Sequence, residues 1–153
     1  MKQLNFFLIL MIFIGSSVKA QTIDYNLIQS VISQPDTAAM ASLRKLGYTP
    51  NKDGDFRFIA DNKIKALISY AKANPDAGQQ ASYWAFQARG KKAYNPIFKE
   101  IKKGAVITSG NHFGKARTEY KSPEGYYFYP FEDSMFDGLY WIYVSRESLL
   151  DKE

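Results

Sequence analysis

The sequence has no cysteine and one histidine, His112, in 153 residues. Without thiols there can be no disulfide framework, no lipid-carrying cysteine and no thiolate metal site. A single histidine does not make a transition-metal ligand set. The signatures of catalysis are also thin. There is no G-x-S-x-G elbow to present a nucleophilic serine, and no glycine-rich loop to cradle phosphate. A hydrolase built on His112 would need an orienting acid, and the sequence offers Asp55 or Glu119. Carboxylates do cluster, as Glu132, Asp133 and Asp137, but within one polar stretch. Glycoside hydrolysis needs two carboxyls on opposite walls of a cleft, so this cluster reads as a solvated turn or an acidic contact patch. Asn51, Asp53 and Asp55 alternate like calcium ligands, yet Phe56 stands where the loop needs glycine and Asn62 where it needs a bidentate glutamate. A hairpin turn is expected there instead. Neither a metal, a cofactor nor an enzymatic activity is expected.

What is present starts with an apolar run at residues 6–14 behind Lys2, followed by small residues up to Val18-Lys19-Ala20. The run is too short to span a bilayer and has the layout of a secretory signal, with cleavage expected after Ala20. The protein is therefore expected in the periplasm or outside the cell, with no transmembrane segment in residues 21–153. Those 133 residues suffice for a single globular domain with its own core. The net charge is +5, or +3 once Lys2 and Lys19 are set aside. So mild an excess, on an exported chain, does not point to nucleic acid.

Along the chain, Ile23, Leu27, Ile28, Val31 and Ile32 recur at helical spacing, giving a leading helix over 22–34. A second helix follows Pro35, capped by Asp36 or Thr37, and stops at Gly47. Segments 56–59, 67–70 and 83–88 read as strands, although 62–73 also fits one face of a helix. Asn95-Pro96 is a helix opening, and Gly104 its stop. Residues 106–108 or 112–120, then 125–131, then 139–145, read as three further strands. Asp151, Lys152 and Glu153 read as a frayed tail.

The chain has two tryptophans, each preceded by tyrosine and followed five residues later by arginine. The offset is 57 residues. It also relates Lys45 to Lys102, Gly47 to Gly104, Phe56 to Phe113, Tyr70 to Tyr127 and Asp76 to Asp133. Eight identities over positions 43–89 exceed the roughly three expected by chance. We read an internal duplication: unit one over 36–89 and unit two over 93–146, each a helix followed by three antiparallel strands. The fold class is then α+β, a mostly antiparallel sheet with helices packed on one face.

Aromatic residues are the strongest signal. Alternation sends Tyr126 and Phe128 to one side of a strand, and Tyr127, Tyr129 and Phe131 to the other. Trp84 and Phe86, with their offset counterparts Trp141 and Tyr143, are assigned to the helix-covered core. Tyr83, Ala85, Gln87 and Arg89 then face away, as do Tyr140, Ile142, Val144 and Arg146. The expected binding surface comprises Tyr70, Tyr83, Arg89, Tyr127, Tyr129, Tyr140 and Arg146, since tyrosine and arginine dominate interface hot spots. A basic group, Arg89, Lys91, Lys92, Lys99, Lys102 and Lys103, surrounds the later helix.

This tandem plan resembles that of secreted β-lactamase-inhibitor proteins, and the resemblance implies a sheet that grips another protein. The expected function is an exported, non-catalytic protein-binding module, an inhibitor or immunity-type protein. The alternatives are an envelope module binding anionic glycan or peptidoglycan, and a small hydrolase using His112.

Overall fold

The computed structural model describes residues 22–112 and 114–151. The leader read over residues 1–20, Phe113 and the last two residues lie outside that set. The architecture is α+β. Helices α1 (Tyr25–Ile32) and α2 (Asp36–Lys45) lead into strands β1 (Thr49–Pro50), β2 (Phe56–Ala60), β3 (Lys63–Ala71) and β4 (Tyr83–Arg89), with a 3-10 turn at Pro75–Ala77. Helix α3 (Lys91–Ile101) then leads into β5 (Val106–His112), β6 (Lys115–Lys121), β7 (Tyr127–Glu132) and β8 (Leu139–Ser145). The eight strands form one antiparallel sheet in the order β1-β2-β3-β4-β8-β7-β6-β5.

Local chemistry accounts for several departures from expectation. Within segment 62–73, β3 (Lys63–Ala71) is strand rather than helix, because Asp61 and Asn62 both adopt positive φ (51° and 56°) and close a two-residue hairpin between Ala60 and Lys63. The alternative strands 106–108 and 112–120 are both real: β5 and β6 pair along their full length. Each run after a helix therefore holds four strands, not three. Helix α3 begins at Lys91, behind Gly90 at φ 76°, so Pro96 sits inside it rather than at its start. That proline leaves only the carbonyl of exposed Lys92 without its helical donor, which water can supply. Neither Asp36 nor Thr37 caps α2; Pro35 occupies that position, and no side chain caps the helix. Asp36 instead accepts from Tyr70 Oη at 2.7 Å and Trp84 Nε1 at 3.3 Å, tying the first turn of α2 to β3 and β4.

The main core joins Ile28, Val31 and Ile32 of α1, Ala39 and Leu43 of α2, and Ile97 and Ile101 of α3 to Phe56, Ile68, Trp84, Phe86, Phe128, Ile142 and Val144 of the sheet. We call this side of the sheet inner. A second, smaller cluster on the outer side holds Tyr129, Ala81 and Leu149, with Tyr83, Tyr127, Tyr143 and Leu150 against it.

Register settles which residues face where. On β4·β8, Trp84 lies opposite Val144, Phe86 opposite Ile142 and Ala88 opposite Tyr140. Directly paired residues share a side, so positions on one side of both strands differ by an even number. An offset of 57 is odd. It matches Trp84 of the inner side with Trp141 of the outer side, and Tyr83 with buried, inner Tyr140. Trp141 and Tyr143 are thus outer residues, and Tyr140, Ile142 and Val144 are core. The same inversion separates inner Tyr70 from outer Tyr127. These three pairs of matched residues therefore fall on opposite sides of the sheet, and the internal duplication is not confirmed.

The end of the chain is not frayed as far as Asp151. Arg146 donates to the carbonyls of Ile32 and Gln34, closing the C-terminal end of α1. From there the segment turns onto the outer side. The Leu149 amide donates to the Tyr129 hydroxyl, Ser148 Oγ to Glu119 Oε2 at 2.6 Å, and the Asp151 amide to the Asn111 carbonyl at 2.7 Å. Gly110 eases this approach, since a Cβ there would come to 3.2 Å from the Leu150 side chain and make it shift slightly.

Candidate functional site: an aromatic groove on the outer side

The groove originates in one proline. Ser122 donates its amide to the Tyr126 carbonyl, which makes the even-numbered residues of β7 the ones that bond to β6. Pro130 falls on that set and has no N–H to give. The β6·β7 ladder accordingly holds only Tyr120–Phe128 and Lys121–Tyr127. β7 continues along β8, with Pro130 opposite Ile142 and Phe131 opposite Trp141. β6 continues along β5 to the Lys115–His112 pair. The sheet parts between them, and a groove of about 510 Å³ opens on the outer side.

Its floor and walls are aromatic. Tyr83 and Tyr143 stack across β4·β8 with ring centroids 4.7 Å apart, and Phe131 meets Tyr143 edge-on at 5.0 Å. The Arg117 guanidinium lies 4.4 Å over the Phe131 ring. His112, Lys115 and Arg117 line the β5–β6 wall; Glu132, Asp133, Ser134 and Met135 line the other. Burial, with Tyr83 beside it, pushes the Tyr143 hydroxyl up to about 12, while Arg117 works the other way.

The rim at the β7–β8 loop is built around Asp133. Its Oδ1 accepts from the amides of Met135 (2.8 Å) and Phe136 (3.2 Å), and its Oδ2 from Trp141 Nε1 (3.0 Å). These donors, the Met135 amide foremost, hold the carboxyl below the usual aspartate range. So anchored, the loop presents two apolar side chains to solvent: Met135 is 83% exposed and Phe136 61%.

Next to the groove, Tyr129 is buried and donates to Glu119, itself buried. Burial and then the Glu119 carboxylate keep that hydroxyl protonated well beyond the ordinary tyrosine range. Tyr129 is therefore a clamp for the C-terminal segment rather than an accessible contact. Of the expected surface residues, Tyr83 and Tyr127 remain partly accessible on the outer side, and Arg89 is exposed with its Nε donating to Gln87. Tyr70 is bonded to Asp36, and Tyr140 is buried and stacked on Tyr94 at 4.3 Å. Arg146 serves α1, and Arg89 lines a separate groove between the start of α1 and α3. Tyr143, Phe131, Arg117, Met135 and Phe136 were missed. A proline interrupting a strand-like run was the available signal for the groove.

The other chemical possibilities sit apart. Asp55 accepts from Ser69 Oγ at 2.6 Å in the β1–β2 hairpin, where Asn51 Oδ1 bonds the amides of Asp53 and Asp55. That hairpin and His112 stand six strand steps apart in the sheet, roughly 29 Å at the usual strand spacing. Glu119 is taken up by Tyr129 and Ser148. Among the described residues no group of three or more His, Asp or Glu is placed to hold a metal ion, and no helix is long and apolar enough to cross a membrane.

Compared with known proteins, the chain matches no family model, no curated protein and no solved structure. None of these comparisons supports the resemblance in plan to β-lactamase-inhibitor proteins.

Proposed function

We propose that this is an exported, non-catalytic binding protein of inhibitor or immunity type that docks another protein on the outer side of its sheet, the helices covering the other side. The supporting observation is the Met135–Phe136 pair, two large apolar side chains held out by a hydrogen-bonded loop beside an aromatic groove. Exposed apolar side chains on a rigid support, next to tyrosine, tryptophan and arginine, have the composition of an interface centre. The test uses tagged protein as bait in envelope and culture fractions of its host, with Met135→Asp/Phe136→Asp as control. A partner held by the wild type and lost at least tenfold by the variant, with Tm unchanged, supports the reading. Equal retention overturns it.

A second reading follows from the cations over aromatic rings: Arg117 over Phe131, and Lys121 5.1 Å over Tyr127. An anionic glycan or peptidoglycan would exploit this pairing. Its binding would weaken steeply with salt and survive the loop variant.

A further inference from the structure

The sheet has two edges, finished differently. β1 is two residues long and contains Pro50. Shortness and proline are devices that stop an edge from pairing with another chain. β5 is seven residues long, with no proline, no Lys, Arg, Asp or Glu, and an unbroken register with β6. Val106 and Ile107 are 65% and 60% exposed on it.

The direction of its backbone groups can be worked out. His112 and Lys115 pair across a two-residue connection, and such a closing pair is hydrogen-bonded. The even-numbered residues of β5 therefore bond to β6, and Ile107, Ser109 and Asn111 point outward. The Asp151 amide on the Asn111 carbonyl agrees with this. Among the described residues the C-terminal segment uses that one carbonyl, and Ile107 and Ser109 are left for another strand.

We propose that this edge pairs with the same edge of a second copy, antiparallel and centred on Thr108. In that register Ile107 faces Ser109 of the other copy and Ser109 faces Ile107, so all outward groups of both residues are bonded. Val106 falls opposite Gly110, which has no side chain and carries Leu150 on the same side of the sheet. Each exposed Val106 then covers the other copy's Leu150. Moving the centre to Ser109 would set Ile107 against Asn111, whose carbonyl is already occupied. No charged side chain lies on either β5 to oppose the pairing. Assembly closes at two copies, because among the described strands the other outer edge of the sheet is β1, which is short and carries Pro50. So short an overlap buries less than a standard stable interface, so the dimer is concentration-dependent.

Sedimentation equilibrium of the purified protein tests this, with Ser109→Pro and Ile107→Lys. Ser109→Pro removes an outward N–H and leaves the β5·β6 ladder intact; Ile107→Lys places a charge at the seam. The wild-type mass should rise toward twice the monomer value with concentration, and its Ile107 and Ser109 amides should exchange more slowly as it does. Both variants should stay monomeric with unchanged circular dichroism. If Ser109→Pro fails to fold, Ile107→Lys carries the test. A wild type that stays monomeric up to about 1 mM, beyond which affinity is under about 4 kcal/mol, overturns the proposal. So does a dimer that a folded variant leaves intact.

Discussion

Trp84 and Trp141 follow tyrosines, lie on neighbouring strands and each give an indole N–H to an aspartate. Trp84 reaches Asp36 from within the inner core, where it is 4% exposed between Phe56 and Tyr70. Trp141 reaches Asp133 from the outer side, half-buried next to Tyr143. One bond locks a helix onto the sheet; the other holds a loop that stays in solvent. The same dipeptide serves stability in one place and presentation in the other, because the two strands meet in a register that puts like residues on unlike sides.

The sharpest way to break that contrast is to truncate each ring. Trp84→Ala should cost about 3–5 kcal/mol, the range for large aromatic deletions in a packed core. Chemical denaturation would read it, and a loss no greater than that of Trp141→Ala would refute the division of roles.

High pH probes both sides together. Burial raises Tyr48 of the inner core to about 12, and Tyr143 of the outer side to about 12 as well. Below pH 10 folded and unfolded chains both keep these protons, so stability does not change on their account. Between pH 10 and 12 the unfolded chain releases protons that the folded one retains, and stability falls; above 12 the loss levels off. Tyr48, nearly fully buried, should contribute on the order of 2 kcal/mol to that fall. The part of the tyrosinate absorbance that Tyr48→Phe and Tyr143→Phe remove should appear together with unfolding rather than ahead of it.

Tyr129→Phe removes one hydroxyl that serves two partners. It leaves Glu119 and the Leu149 amide short of a bond, at about 1–3 kcal/mol. Its specific mark should be faster amide exchange at Leu149 and Asp151, with the inner core unaffected.

Trp141→Ala should cost the least, about 1–2 kcal/mol for a half-buried ring. Its main effect should be on the Met135–Phe136 loop. Partner capture should drop with little change in Tm, the reverse of the pattern at Trp84.

Much of this layout was legible beforehand. The glycine stops of α2 and α3, the strands around 56–59, 83–88 and 139–145, and the split of Tyr126 and Phe128 from Tyr127, Tyr129 and Phe131 all follow from local pattern. Helix starts were less legible. Asn95-Pro96 offers sound capping chemistry, yet α3 starts at Lys91, where the Gly90 amide bonds the Gly138 carbonyl of the distant β7–β8 loop at 2.7 Å. The order of the segment up to Asp151 was not legible, because its sequence gives no hint of Tyr129 and Glu119 waiting beneath it.

By itself, the sequence determined alternation: which residues of one strand lie together, and where turns interrupt them. That is a property of a single extended chain, whose side chains point up and down in turn every 3.3 Å or so. Only the tertiary structure decided which of the two sets is covered. Tyr83 opposite Ser145, rather than one residue to either side, turns Ile142 inward and Tyr143 outward. Pro130 opens a groove only because β6 is the neighbour that needed its missing N–H. Both outcomes depend on pairing partners far away in the chain, and one residue of register changes them all.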